Sequence, residues 1–312
     1  MSTDDPHVPP AAGPLVLRGR SLGADGPVVM AIVNRTTDSF WAGARHAGDD
    51  DAVRAAEQAL EDGAAILDVG GVRAGVGPEV TPADEIARVV PFVARVRREL
   101  PELLVSVDTW RAEVAEAAID AGADLVNDTW AGHDPRLVEV AGRAGVGVVC
   151  SHTGGATPRT DPYRVAYPLP DDAPPGTDPR DGVLLDVLAT LRAGAERAVA
   201  CGVPPRSVLV DPTHDFGKNT WHSLHLLRRT DAVAGLGFPV LMALSRKDFV
   251  GETLGLAADD RLGGTLASTA VAAWLGATVF RAHDVRATRE VLQMVAAVRG
   301  DAPPAEATRG IE

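Results

Sequence analysis

Residues 207–218 read Ser-Val-Leu-Val-Asp-Pro-Thr-His-Asp-Phe-Gly-Lys (SVLVDPTHDFGK). The run Ser207-Val208-Leu209-Val210 is short, continuous and apolar, the pattern of a strand buried on both faces. It stops at Asp211-Pro212, where the proline cannot continue a ladder and a carboxylate is left at the strand tip. Taken alone, this is equally the pattern of a turn whose aspartate caps the next helix. The rest of the chain shifts the balance, because the same design recurs.

Outward from this stretch, apolar runs end repeatedly in polar residues. Val28 to Val33 ends at Asn34, Ala65 to Leu67 at Asp68, Leu104 to Val107 at Asp108, and Asp124 to Val126 at Asn127-Asp128. Gly147 to Cys150 ends near His152, Val240 to Leu244 at Ser245-Arg246-Lys247, and Thr278 to Phe280 at Arg281 and His283. With the strand before Asp211 these make eight. Between them lie Ala-rich segments with helical spacing: 52–60, 83–100, 111–121, 136–144, 183–200, 221–234, 261–275 and 285–298. Several close on a glycine before the next strand, as at Gly63, Gly122 and Gly276.

Strict alternation of buried strand and amphipathic helix implies a parallel sheet with helices outside. Eight units fit an α/β fold of the single (β/α)8 TIM barrel type, with the site at the C-terminal mouth. A doubly wound sheet would want a Gly-rich turn after its first strand, and Asn34-Arg35-Thr36-Thr37 is not one. The expected organisation is a mobile leader over 1–25, a barrel over 26–300 and a tail over 301–312. One connection is out of proportion: residues 153–182 are dense in Pro and Gly, and read either as a lid at the mouth or as a disordered insertion.

Composition narrows the function. The chain has 312 residues, 46% hydrophobic and 23% charged, which is globular, and its formal net charge of -13 argues against a nucleic-acid surface. No apolar run is long enough to cross a bilayer, so a cytoplasmic protein is expected. The two cysteines, Cys150 and Cys201, offer no disulfide framework or zinc spacing. What converges at the mouth is a set of carboxylates (Asp68, Asp108, Asp128, Asp211), amides (Asn34, Asn127) and cations (Lys247, Arg281, His283). Carboxylates beside amides grip a heterocycle with adjacent N–H donors, and Arg281 with His283, two apart on one strand, can hold an oxyanion. Such a site suits a flat polar ring bearing a phosphate group.

The segments MAIVNRTTDSF (30–40), DVGG (68–71), SVDTW (106–110), VND (126–128), DPTHDFGK (211–218), SRKDF (245–249) and RAHDV (281–285) resemble the dihydropteroate synthase family in order and spacing. With its departures, the chain looks like the divergent actinobacterial paralogues of that family. The resemblance implies a pterin-binding barrel, a homodimer, and condensation of a dihydropterin pyrophosphate with 4-aminobenzoate in folate biosynthesis, releasing pyrophosphate. It implies that Asp108, Asn127, Asp211 and Lys247 bind the pterin and that Arg281, His283 and Asn34 hold pyrophosphate. Lys247, Arg281 and His283 then carry the catalysis, with Asn34 contacting Mg2+.

The departures from the family pattern are concentrated. Where the family has Gly-Glu-Ser-Thr-Arg-Pro-Gly after the second strand, this chain has Gly71-Val72-Arg73-Ala74-Gly75-Val76-Gly77, losing the Thr and Arg. Lys247 is followed by Asp248 instead of Ser, a carboxylate facing the place of the aminobenzoate carboxylate. Arg35 and Thr37 alter the first loop, and His214 and Asp215 replace an apolar residue and a Gly. Three readings follow: a working synthase, an inactive pterin-binding paralogue, or a transferase with another acceptor.

Overall fold

The computed structural model describes residues 13–23, 26–35, 49–160 and 165–309. Thr37 of the first loop and residues 161–164 of the long connection lie outside these.

Two short strands, β1 (Leu15–Leu17) and β2 (Arg20–Leu22), come first, followed by β3 (Val28–Asn34) and α1 (Asp49–Glu61). Then come β4 (Ile66–Gly70), α2 (Pro82–Glu99), β5 (Leu104–Asp108), α3 (Ala112–Asp120), β6 (Leu125–Asp128), α4 (Arg136–Ala144) and β7 (Gly147–Ser151). The second half runs α5 (Gly182–Ala200), β8 (Val208–Asp211), α6 (Thr220–Arg228), α7 (Thr230–Ala234), β9 (Leu241–Met242), α8 (Asp248–Leu254), α9 (Leu262–Trp274), β10 (Val279–Ala282) and α10 (Val285–Arg299). Strands β3 to β10 pair in parallel, in the order β8-β7-β6-β5-β4-β3-β10-β9. A parallel bridge between Val210 and Val240 joins the two ends, so the sheet closes into a (β/α)8 barrel.

The twofold alternation of strand side chains divides the core. Val29, Ala31, Val33, Leu67, Val69, Val105, Val107, Val126, Val148, Val208 and Val210 face the helices and join one large apolar cluster. Met30, Ile66, Leu104, Leu125, Val149, Leu209, Leu241 and Val279 form a second cluster, one residue from each strand, inside the barrel. Below it sit Leu15, Leu17 and Leu22 of the β1–β2 hairpin.

Of the leader expected over 1–25, residues 1–12, 24 and 25 lie outside the described residues, and 15–22 form a structural plug. Its backbone is held by Ser207, whose hydroxyl donates to the Val16 carbonyl at 2.6 Å. Close approach demands Gly147, where a Cβ would stand 2.5 Å from the Leu17 side chain and 2.8 Å from the Ser207 carbonyl oxygen. The single helix expected over 221–234 is broken at Arg229 into α6 and α7, and the short α8 was not expected. Gly63, Gly122 and Gly276 all take positive φ, as read from their places after helices.

Candidate active site

The site follows from the barrel's own register. Two residues above the inner apolar layer, the same inward-facing rows carry Asp68, Ser106, Asn127, Ser151, Asp211 and Arg281. Two more residues on are Asn34, Gly70, Asp108, Thr129 and His283. Apolar floor gives way to a polar mouth along each strand.

Asp68 is the hub. Its side chain has no exposed surface, and it accepts from the Ser106 hydroxyl at 2.5 Å, Asn127 Nδ2 at 3.2 Å and Arg281 Nε at 2.6 Å. Arg281 Nη2 donates to Asp108 Oδ2 at 2.9 Å, while Thr129 donates to Asp108 Oδ1 at 3.0 Å. Burial pushes the Asp108 carboxyl up to about 7 against the pull of Arg281. Asn34 stands at the end of β3 against Gly70, where a Cβ would lie 3.0 Å from its Oδ1.

On the far side, Asp211 is buried and accepts from the Thr213 backbone N–H at 2.7 Å. Its carboxyl is raised by burial, with Lys247 opposing; the Lys247 ammonium is lowered by burial, with Asp215 and Asp211 opposing. Lys247 donates to the His214 carbonyl and lies 5.1 Å over the Phe216 ring, which packs edge-on to Trp130. Beneath them Lys218 is buried, its ammonium donating to the carbonyls of His152, Thr213 and Phe216 at 2.8, 3.1 and 2.9 Å. This clasp ties the loop after β8 to the loop after β7. Burial, and then the charge of Lys247, brings Lys218 down to about 7.

Three sequence readings change. Asp128 is one residue out of the inward row; it accepts from the Trp130 and Gly132 N–H groups at 3.1 and 2.7 Å and shapes its own loop. His283 is not a standing cation, because burial and then Arg281 lower it to about 4; its Nδ1 is 2.9 Å from the Ser245 hydroxyl. Asp248 is less of an obstacle than its charge suggests, since it is exposed and Arg261 donates to it at 2.7 Å.

A second carboxylate, Asp215, stands by Lys247 and the start of α8. Its carboxylate accepts from the backbone N–H groups of Asp248 at 2.7 Å and Phe249 at 3.3 Å, the first two of α8. The second loop lacks side chains at Ala74 and Gly75 that could reach the mouth. Arg159 of the long connection donates to the Pro78 carbonyl at 2.6 Å and the Gly75 carbonyl at 3.4 Å, so that connection crosses to the second loop. Farther along it, Tyr167 donates to the Gly217 carbonyl at 2.6 Å. Outside the mouth, a cavity of about 930 Å³ beside this connection is lined by Trp130, His152, Tyr167 and Asp186, among others, and by none of the mouth carboxylates.

Asp68 was visible in the sequence as one more strand-tip carboxylate, but its role as hub was not. The signal for Ser106 and Thr129 was available too: each is an even number of residues from an inner-layer leucine on its own strand. Asp215 gave no such signal, because its reach depends on the positive φ it adopts in a loop. Among the described residues no group of three or more His, Cys, Asp or Glu side chains could hold a metal ion.

The pterin binding enzyme family model matches residues 30–283. An inactive dihydropteroate synthase 2 of Mycobacterium leprae is 55% identical over 95% of this chain and 99% of its own length. The dihydropteroate synthase of Bacillus subtilis is 33% identical over 87% of this chain and 88% of its own. Among solved structures, Yersinia pestis dihydropteroate synthase with a sulfonamide drug complex superposes with a TM-score of 0.82 at 33% identity, covering 92% of this chain and 99% of that one.

Proposed function

The chain belongs to the pterin-binding enzyme family as a dihydropteroate-synthase-like protein, and we propose that it binds a dihydropterin pyrophosphate without joining it to 4-aminobenzoate. The observation that carries this reading is a contrast within the mouth. The ring and anion groups stand on strand tips, whereas the α8 amides beside Lys247 are already taken by Asp215.

In this reading Asp108, Asn127 and Asp211 take the N–H and carbonyl groups of the pterin ring, and Lys247 adds a donor above Phe216. Arg281 and His283 hold the pyrophosphate, His283 as a neutral donor at pH 7. Asn34 supplies one oxygen toward Mg2+, a single amide being sufficient for an ion that keeps its waters and leans on phosphate oxygens; its chemistry would be to neutralise the leaving group. Positioning and electrostatics would supply the rate, with no covalent enzyme intermediate. An incoming benzoate carboxylate meets Asp215 in the donors it needs, and finds neither a hydroxyl nor a guanidinium at Ala74 and Gly75.

Calorimetry with the pterin pyrophosphate and with aminobenzoate, added separately in the presence of Mg2+, tests this. The first is expected to bind and the second not, with no dihydropteroate formed from labelled aminobenzoate. Dihydropteroate formation at the rate of an active synthase would overturn it. A transferase with another acceptor is favoured by the intact anion groups Arg281 and His283; release of pyrophosphate on addition of other amines would show it.

The homodimer implied by the family has a surface to use. Val271 and Trp274 on α9 and Met294 and Val298 on α10 line one apolar groove and are 45%, 37%, 64% and 60% exposed. Met294→Glu is expected to shift the mass by light scattering from dimer to monomer. A cytoplasmic setting goes with this reading, since Cys150 and Cys201 are both free thiols.

A further inference from the structure

We propose that the Asp108–Arg281 ion pair is a latch coupling the ring-binding and anion-binding parts of the mouth, so that the protein selects a ligand carrying both. The inference rests on the reading that Asp108 grips the ring and Arg281 the pyrophosphate.

The geometry divides the two partners of Arg281 into an anchor and an exchangeable one. Asp68 is fully enclosed and held by Ser106 and Asn127 as well as by Arg281 Nε. Asp108 lies at the strand tip with its side chain 23% exposed, and each of its oxygens already holds a donor: Thr129 on Oδ1 and Arg281 on Oδ2. A ring presenting two adjacent N–H groups engages both oxygens, so that Arg281 shares its oxygen with a second donor and the pairing weakens. A pyrophosphate oxygen on Nη2 or on the neighbouring Nη1 draws the guanidinium away from Asp108.

Each ligand alone therefore weakens the pair and leaves one member less well compensated. Pyrophosphate on Arg281 leaves the Asp108 carboxylate with less of its cation, a position that ring N–H donors relieve. A ring on Asp108 leaves Arg281 with a shared acceptor, which pyrophosphate supplements. The cost of weakening the pair is met once when both bind, so each favours the other, and linkage requires the two factors to be equal. Asp68 keeps the guanidinium aimed at the mouth throughout, which makes it a positioning residue. The free site is neither a pterin site nor a phosphate site in full; it becomes one when a ligand bridges both.

The test uses two separate probes, inorganic pyrophosphate and 6-hydroxymethyl-7,8-dihydropterin, by calorimetry at fixed Mg2+. In the parent, saturation with the pterin is expected to tighten pyrophosphate binding about fivefold to tenfold, and the reverse titration by the same factor, the low end of measured couplings because the pair is partly exposed. In Asp108→Asn, pyrophosphate alone is expected to bind about threefold or more tighter than in the parent, because the pairing with Arg281 is weakened. Asp128→Asn removes the same charge from a carboxylate that stands out of the inward row and holds its own loop, and pyrophosphate affinity there should stay within about twofold of the parent. Thermal melts establish that both variants fold, and the parent titrations need no variant. Independent binding of the two probes to the parent, or equal gains in the two variants, would show the pair to be a bystander while leaving the functional reading intact. Failure of the parent to bind the pterin at all would overturn the reading, and the latch with it.

Discussion

The halves of the mouth that the proposed function assigns to ring and anion and to the acceptor are built on different parts of the same fold. Asp68, Asp108, Asn127, Asp211 and Arg281 are side chains of strand residues, placed by parallel register and by an apolar layer two residues below. The acceptor half consists of the second loop at Ala74–Gly75, the loop carrying Asp215 and the start of α8, none of which the sheet holds. Changing a strand-tip residue disturbs a network that also supports the barrel's upper layer. Changing a loop residue disturbs only what the loop touches. Ala74, Gly75 and Asp215, which depart from the family pattern, all lie in loops, and on the proposed reading a barrel can lose an acceptor subsite there while keeping a ring-and-anion site.

The largest effect should come from breaking the strand-tip half. Arg281→Ala leaves Asp68 enclosed without its cation, and is expected to cost about 3–5 kcal/mol of stability as well as pyrophosphate binding. Chemical denaturation measures it. A loss below about 1 kcal/mol, the scale of an exposed ion pair, would show that the hub is not structural and would erase the contrast between the halves.

Rebuilding the loop half comes next. Asp215→Gly frees the first amides of α8, Asp248→Ser restores a hydroxyl, and Ala74→Thr with Gly75→Arg restores the second-loop groups. The combination is expected to raise condensation with labelled aminobenzoate by on the order of a hundredfold over the parent, the worth of one well-placed donor. Single changes should each do less, because residues acting as one site are not additive. Asp248→Ser without Asp215→Gly is the informative control: Arg261 already compensates Asp248, so that variant should stay at the level of the parent.

A smaller effect tests one strand tip without harm to the fold. Asp211→Ala should weaken pterin affinity by about 1.5–3 kcal/mol, the value of a charge-assisted hydrogen bond. The melting temperature should hardly fall, because burial without full compensation already raises this carboxyl. Equal affinity in variant and parent would reduce Asp211 to a turn residue, which is how its sequence reads in isolation.

The sequence was most legible where one physical rule acts alone. Strand tips from Asn34 to Arg281 follow from apolar runs interrupted by a polar or charged residue, and the glycines after helices from their freedom at positive φ. Legibility failed where two elements distant in sequence decide the outcome. The plug formed by Leu15, Leu17 and Leu22 looked like a leader because a three-residue strand shows no period, and only the open lower end of the barrel gives it a place to pack. The break at Arg229 lies within an unbroken apolar spacing. Asp128 and His152 were assigned to the mouth by proximity to a strand end, yet each is one residue out of the inward row; His152 pairs instead with Asp186 of α5 at 2.6 Å. Parity along the strand, applied from the inner apolar layer, would have separated them.

The smallest effect concerns His214, which lies in the loop after β8 between the two halves. Its ring is fully buried against Phe249, and among the described residues neither ring nitrogen has a hydrogen-bond partner. Lys247 bonds to the His214 carbonyl and not to its ring, so the side chain can change without removing that contact. His214→Leu should therefore keep pterin affinity and stabilise the fold by about 1 kcal/mol at pH 7, the lower end of the cost of an unsatisfied buried polar group. The pH dependence fixes the cause. Burial, followed by the charges of Lys247 and Lys218, holds this imidazole well below its ordinary value, so in mildly acidic solution the unfolded chain takes up a proton that the native state refuses. The parent must then lose stability relative to the variant as pH falls below about 6.5, by up to about 1.4 kcal/mol per unit. His152 and His283 are also lowered, to about 4, but they are present in both proteins and cancel from the difference. Denaturation midpoints at pH 7.5 and 5.5 measure the gap. A gap that does not widen would mean that the ring is protonated or partnered in the native state, and the loop would then be held by His214 as firmly as the strand tips are held by the sheet.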